Sequence, residues 1–402
     1  MRISTVTMFE MNVASMNRQQ GDFLKVGQQI ASGKRVVNPS DDPQAASRAV
    51  GVSQSKAVTQ QYADARVSAR NSLAQSESIL NSVNDGITRA KTLLLQASSD
   101  TLSDVDRNSV ASELKGLYES LLGQANSTDG NGRHLFGGYR DNAPPFAKDA
   151  GGQVQYEGDT RNREQRIDSS RLMPVTDSGA DIFQSVHASA GLLVKADGGN
   201  DGNVTFGSPL TTDLSDADYG TPQTIEFAVD AVTGEITYST DGGTSFAAYD
   251  PEGTRIEVAG MAVELKGTPA DGDALTLGRA TEMEPDLFRT LENAIAVLEA
   301  PADTPAKKAA LRNTLNTSLR ELDNAQDNVL TVRASVGARL NELDVVDSVA
   351  GNRMLNYEQT LSDLVDLDYV EAAAEYSLRQ VGLMAAQKAF VDIQGMSLFD
   401  RM

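Results

Sequence analysis

Positions 315, 319, 322, 326, 329, 333, 336, 340, 343, 347, 350, 354, 357, 361 and 364 alternate strictly by four and three, and twelve of the fifteen are apolar. The exceptions are Gln326, Arg333 and Asp347. No other feature constrains the fold as tightly. A spacing of 3.5 residues is that of a coiled-coil seam, and fifty residues of helix span roughly 75 Å. A helix of that length needs a long partner. The sequence offers one, because Ala69, Leu73, Ser76, Leu80, Val83, Ile87, Ala90, Leu94 and Ala97 repeat the same alternation. A shorter helix with Val110, Leu114, Leu117 and Leu121 on one face follows it, ending in NSTDGNGRHLFGGYRDNAPP.

Between the two long seams the period changes. Ile225, Phe227 and Val229 alternate in TIEFAVD, Ile236 and Tyr238 resume in EITYS, and RIEVAGMAVELKG alternates with an interruption at Gly260. Period two with Gly and Asp turns predicts a β-rich insert over 141–284. The chain is expected to run out along one helix, build this insert, and return along the other.

Charge separates the insert from the ends. The chain carries a net charge of −21, and residues 141–284 hold 9 Lys+Arg against 25 Asp+Glu. The first 43 residues hold 5 against 4, and the last 34 hold 3 against 4. The insert therefore reads as a solvated acidic surface, for which nucleic acid is an improbable partner. The ends are neutral enough to be buried against something.

Those ends carry seams of their own. Val6, Phe9, Val13, Met16, Gln20, Phe23, Gly27 and Ile30 alternate by three and four. The stripe stops at IASGKRVVNPSDDPQAA, where Gly33 can take a left-handed C-terminal conformation, Pro39 sits in the loop, and Asp42-Pro43 reads as an N-cap with proline at the first helical position. At the other end Ala374, Leu378, Val381 and Ala385 line one helix face, with Phe390 and Val391 adding apolar bulk. Short helices in isolation are marginal in water, so these two need each other or another molecule. In a free subunit they are expected to stay unprotected from amide exchange and to order on assembly.

Chemistry finds little support. There is no Cys, so no disulfide, thiolate zinc site or thiol nucleophile exists. Gly27 and Gly33-Lys34 miss the phosphate-loop spacing, with Arg35 at the Ser/Thr position. His134 and His187 stand far apart, and the acidic loops DLSDADYG and PADGDALTL lack the full calcium-loop pattern. The N-terminus lacks a basic stretch followed by an apolar run, so no cleaved secretion signal is expected. No run of about 18 apolar residues suggests a membrane span. No catalytic, cofactor or metal residue is assigned, and the chain is not expected to be an enzyme.

At this point the residues resemble a known family. LKVGQQIASGKRVVNPSDDPQAASRA resembles the N-terminal signature of the flagellin superfamily, while ASVGARLNELDVVDSVAGN and LSDLVDLDYVEAAAEYSLRQVGLMAAQKAF resemble its C-terminal partner. Within it, NPSDDP, the MRIST start, the GTPADGDALTL segment and a Leu-Phe near the C-terminus are similar to the hook-associated protein 3 (FlgL-type) family. The resemblance implies a mainly α fold with a β-rich insert (α+β), flagellin-like, in which N- and C-terminal regions form a long antiparallel helical rod. The expected divisions are 1–43, an inner assembly helix; 44–140, the outgoing rod; 141–284, the acidic outer domain; 285–368, the returning rod; and 369–402, the second inner helix. It also implies a structural flagellar protein joining the hook-side junction ring to filament flagellin. Export is expected to be unfolded, by the flagellar type III route, with a cytoplasmic chaperone. Competing readings are a flagellin, a secreted coiled-coil adhesin, and an enzyme carried in the insert. The expected assembly residues are Phe9, Val13, Met16, Phe23 and Ile30 with Leu378, Val381 and Ala385. Phe23→Asp is expected to cost stability only in the assembled state.

Overall fold

The computed structural model describes the backbone of residues 5–99 and 102–399, and the side chains of 7, 9–99 and 102–392. Helices α1 (Thr5–Ser32), α2 (Pro43–Ala97) and α3 (Asp104–Ala125) come first. Ser103 caps α3 in a reciprocal capping box with Asp106, satisfying two otherwise orphaned donors. Two small hairpins follow, β1 (Phe146–Lys148) with β2 (Val154–Tyr156), and β3 (Glu164–Asp168) with β4 (Arg171–Pro174). Next come the one-turn α4 (Gly179–Phe183), then β5 (Leu192–Ala196), β6 (Thr205–Phe206), β7 (Leu210–Thr211), β8 (Gln223–Val229), β9 (Ile236–Ser239), β10 (Ala247–Ala248), β11 (Thr254–Val258), β12 (Met261–Lys266) and β13 (Ala274–Arg279). Helices α5 (Leu287–Glu299), α6 (Pro305–Val365) and α7 (Tyr369–Phe399) return the chain.

All these strands fall inside the acidic insert. Strands β10-β9-β8-β13-β5 form one antiparallel sheet, and β11-β12-β6 form another, with β7 also on β12. Their inward faces share one core, with Ile225, Phe227, Ile256, Val263, Leu265 and Leu277 buried. Alternation in TIEFAVD and RIEV puts the charged residues outward, which is why an insert so acidic can still fold.

By packing, the chain divides into two units, residues 65–344 and residues 1–64 with 345–402. The cut falls within α2 and α6 rather than at the helix breaks near 43 and 368. The start of α2 and the end of α6 group with the terminal helices, to which the helix breaks bind them.

In the larger unit the outgoing and returning helices meet antiparallel. Arg70 pairs with Asp344, Glu77 with Arg333 and Lys91 with Asp323, so residue numbers fall on one helix as they rise on the other. The polar exceptions in the seam are the cross-links. The Gln326 side chain donates to Asn84 and Thr88 at 3.0 Å and accepts from Lys91 at 2.9 Å. The seam is dry here: Leu73, Leu80, Val83, Ile87 and Leu94 are fully buried, as are Leu322, Val329, Val336 and Leu343.

The insert is pinned to the helices by buried polar side chains that reach backbone carbonyls. Asn313 donates to Val204, Thr317 to Val194, and Asn328 to Asp181, Ile182 and Ser185. Arg66 reaches the Ile167 carbonyl at 2.9 Å. Arg339 reaches the Pro174 carbonyl at 3.0 Å and the Asp177 carboxylate at 2.6 Å. Edge strands, short hairpins and the single turn of α4 leave carbonyls turned toward the helices, and these side chains satisfy them. Phe136, Phe146, Phe183 and Phe288 fill the space between α4, α5 and the first hairpin, with ring centroids 5.2–5.9 Å apart.

Candidate assembly surface

The smaller unit is where the neutral chain ends meet. Helices α1 and α7 pair along their length: Phe9 and Phe390 stand 5.3 Å apart between ring centroids, and Phe23 and Tyr376 4.7 Å. Arg379 bonds Asp22 at 3.2 Å. Gly27 lies against the Tyr376 ring and Gly382 against Gln19, where small residues let the helices approach. The N-terminal seam faces this pairing: Val13, Met16, Phe23 and Ile30 are half-buried, and Phe9 is 42% exposed. The Val6 side chain lies outside the described residues.

Because Phe23 already packs on Tyr376, Phe23→Asp would cost stability in the isolated chain as well. The cost is not confined to the assembled state, since part of the ring is shielded before assembly.

The three C-terminal positions point elsewhere. Leu378 is 73% exposed and Val381 61% exposed, and Ala385 is exposed beside them. Helix α7 is apolar on two faces. The face turned to α1 carries Tyr376, Leu383 and Phe390, seven residues apart, a signal that stood in the sequence beside the stripe at 374–385. Among the described residues the opposite face has no cover within the smaller unit, and Met384 and Val391 are exposed on the flank between the two. Helix α1 likewise leaves Met11 and Leu24 outward.

The two helix breaks are joined. Gly33 takes φ +68° at the end of α1, where a Cβ would stand 2.9 Å from the Tyr369 hydroxyl. Arg35 N–H donates to the Val365 carbonyl at 2.8 Å, and Leu367 N–H donates to the Gly33 carbonyl at 3.1 Å. The Arg35 guanidinium donates to the Leu364 carbonyl at 2.7 Å and reaches Asp42 at 3.3 Å. Thus the last carbonyls of α6, orphaned by helix geometry, are capped by the break after α1.

The aspartates of NPSDDP organise this loop. Asp42 accepts from the Ala45 amide at 3.0 Å as N-cap of α2, while Pro43 occupies the first helical position. Asp41 accepts from the Asn38 and Val37 amides and pairs with Lys25 at 3.0 Å. The Asn38 amide, then Lys25, hold the Asp41 carboxyl below its ordinary range. The Ala45 amide, then Arg35, do the same for Asp42. Pro39 sits in the turn between, exposed.

His134 holds the Asn126 carbonyl at 2.7 Å and His187 bonds its neighbour Ser189 at 2.6 Å, both local contacts. Among the described residues no group of three or more His, Cys, Asp or Glu could hold a metal, and no helix is long and apolar enough to cross a membrane.

Residues 3–141 match the model of the bacterial flagellin N-terminal helical region. Over 400 residues the chain is 34% identical to flagellar hook-associated protein 3 of Escherichia coli strain K12, covering 99% of each chain. FlgL of Xanthomonas campestris, a crystal structure, is 30% identical with a TM-score of 0.67, covering 77% of this chain and 99% of that one. A flagellin of Clostridium tyrobutyricum is a weaker match, 23% identical over 391 residues and 93% of each chain. Long paired helices, a β-rich insert and an open terminal pair define a flagellin-like structural protein. The chain belongs to the flagellar hook-associated protein 3 family, the FlgL hook–filament junction proteins. Its place is the flagellum, outside the cell.

Proposed function

We propose that copies of this chain form a ring through their terminal helices, joining an adjacent hook-associated junction protein on the hook side to flagellin on the filament side. In this reading 1–43 and 369–402 make the inner layer, 44–140 and 285–368 the helical wall, and 141–284 the outer, solvated face. The observation that carries it is the uncovered apolar face of α7 at Leu378, Val381 and Ala385, on helices that are nearly neutral in a strongly acidic chain. Burying such a face stabilises an assembly by about 25 cal/mol per Å² of apolar area. Phe9 and Phe23 pack on Phe390 and Tyr376 of α7, and with the half-buried Val13, Met16 and Ile30 they would shape the surface that the neighbours meet.

Passage to that site would be unfolded, through the flagellar type III pathway, with no cleaved signal and with a cytoplasmic chaperone guarding the terminal helices. The absence of Cys supports this reading, since no disulfide can form before passage.

The test is a deletion strain. It should shed flagellin into the medium and leave hooks bare, and the native chain should restore filaments. A complementing chain with Leu378→Asp and Val381→Asp should be secreted but fail to restore them. Normal filaments on the deletion strain would end the junction reading, and normal filaments with the double variant would end the role of this face.

A further inference from the structure

Acidic residues outnumber basic ones 56 to 35 in this chain, so a surface cation should rarely lack a carboxylate. Around the start of α6 four of them do, among the described residues: Lys266, Lys308, Arg312 and Arg320. Their neighbours are paired, Lys307 with Asp303, Lys195 with Glu321 and Lys91 with Asp323. Residues 304–320 contain Lys307, Lys308, Arg312 and Arg320 and no acid at all. Lysines in a first helical turn oppose the helix dipole, which favours anions there. A local rule broken in this way is expected at functional positions.

The four cations share one place. Lys266, Arg312 and Arg320 line a groove of about 600 Å³ together with Phe206 and Leu319. Lys308 and Arg312 line an adjoining concavity of about 820 Å³. Of the two acids in the groove, Asp323 is taken by Lys91, leaving Glu264.

The same chain carries the complementary charge. From 213 to 254 the insert has nine Asp and Glu, all exposed, and no Lys or Arg. Three of them, Asp213, Asp216 and Asp218, sit in one six-residue turn around Leu214, which is 74% exposed. The turn is fixed in shape. Thr212 and Asp213 N–H groups donate to the Gly260 carbonyl, Ser215 N–H to Asp213 at 2.8 Å, and Asp218 N–H to Asp216 at 2.9 Å. Within one molecule this turn makes no ion pair with the four cations.

We propose that the basic groove beside α6 receives the acidic 213–218 turn of a second copy, with Leu214 set against Leu319 and Phe206. This contact rests on the ring assembly proposed above and would orient neighbouring copies around it. Opposite charge meeting across an interface fixes register and disfavours other arrangements.

The experiment uses full-length chains assembled in flagella, in a strain co-producing isotopically distinct copies. Zero-length carbodiimide coupling, followed by peptide mapping, should join Lys266 or Lys308 of one copy to Asp213, Asp216 or Asp218 of another. Lys308→Glu with Arg312→Glu should reduce these links at least fivefold and increase shed flagellin severalfold. Asp216→Lys with Asp218→Lys should do the same, and the four changes together should restore both readouts to within about twofold. Asp213→Asn with Asp216→Asn and Asp218→Asn keeps the turn's hydrogen bonds but removes the groups that couple, so its readout is shed flagellin alone, which should rise severalfold and guards against a misfolded Lys variant. Links that persist in the groove variant, or four changes no better than two, would overturn the proposal. So would a defect from the groove variant with none from either turn variant, which would assign the groove to a different acidic protein. The deletion strain tests the ring separately, so a strain that sheds flagellin while these outcomes fail removes only this contact.

Discussion

Along α6 the same seven-residue repeat meets two different surroundings. At Leu315, Leu322, Val329, Val336 and Leu343 the repeat is buried to 1% exposure or less; past Ala350, still buried at 5%, it is only half-covered at Tyr357 and Leu364. The first group stands in the unit that holds the insert, the second in the unit built around the chain ends. Helix α2 shows a milder contrast: its seam from Ala69 to Ala97 is dry, whereas in the smaller unit the same register keeps Thr59 and Ala45 buried, leaves Val52 half-covered and exposes Ser55. Equal spacing thus produces a dry core in one unit and a partly covered one in the other. Spacing selects a face of a helix, and only neighbouring elements decide whether that face excludes water. A protein whose work is to join others keeps its unfinished faces where the others arrive.

The comparison breaks most visibly under truncation. Leu322→Ala, in the dry seam, should cost about 2–5 kcal/mol through lost transfer energy and a cavity. Leu378→Ala, on the open face, should stay within about 0.5 kcal/mol in the isolated chain. Urea denaturation of both variants measures the contrast, and equal costs would mean that the α7 face is already covered.

Next comes the polar pinning of the larger unit. Arg339→Met leaves Asp177 without its partner in a mostly buried site, with side chains 10% and 16% exposed. The expected loss is about 3 kcal/mol. Adding Asp177→Leu should recover part of it, as a double-mutant cycle would report.

A smaller effect sharpens the joint in the terminal unit. Gly33→Ala should cost about 1 kcal/mol, because φ +68° is strained for a residue with a Cβ. The added carbon also meets the Tyr369 hydroxyl. Tyr369→Phe should relieve the contact but not the backbone strain, so melting of the double variant should fall between Gly33→Ala and the native chain.

The smallest effect is electrostatic. Asp41 and Asp42 have carboxyl pKa values depressed in the folded chain, so they bind protons less readily there than in the unfolded one. Their contribution is present above the ordinary aspartate value, about pH 4, and is lost as pH falls through the depressed values. Amide exchange at Val37, Asn38 and Ala45 should therefore accelerate below pH 4 relative to the dry seam, and Asp41→Asn with Asp42→Asn should abolish that difference.

Much of this was legible in the residues themselves. The four-three alternation located both long helices and their shared face, period two located the strands, and Gly33, Asp42 and Pro43 marked a stop and a restart. These are local rules, fulfilled within a few residues of chain. Less legible were the side chains that tie distant segments. Asn313, Thr317, Asn328 and Arg339 look like surface polars in the sequence, yet each is buried and donates to a backbone carbonyl of the insert more than a hundred residues away.

The choice between the two apolar faces of α7 was of the same kind. Sequence by itself determined that the last helix had apolar residues at 374, 378, 381 and 385 and others at 376, 383 and 390. Only the tertiary structure decided that α1 covers the second set and leaves the first open, because a single partner helix can shield one stripe of a cylinder and not its reverse.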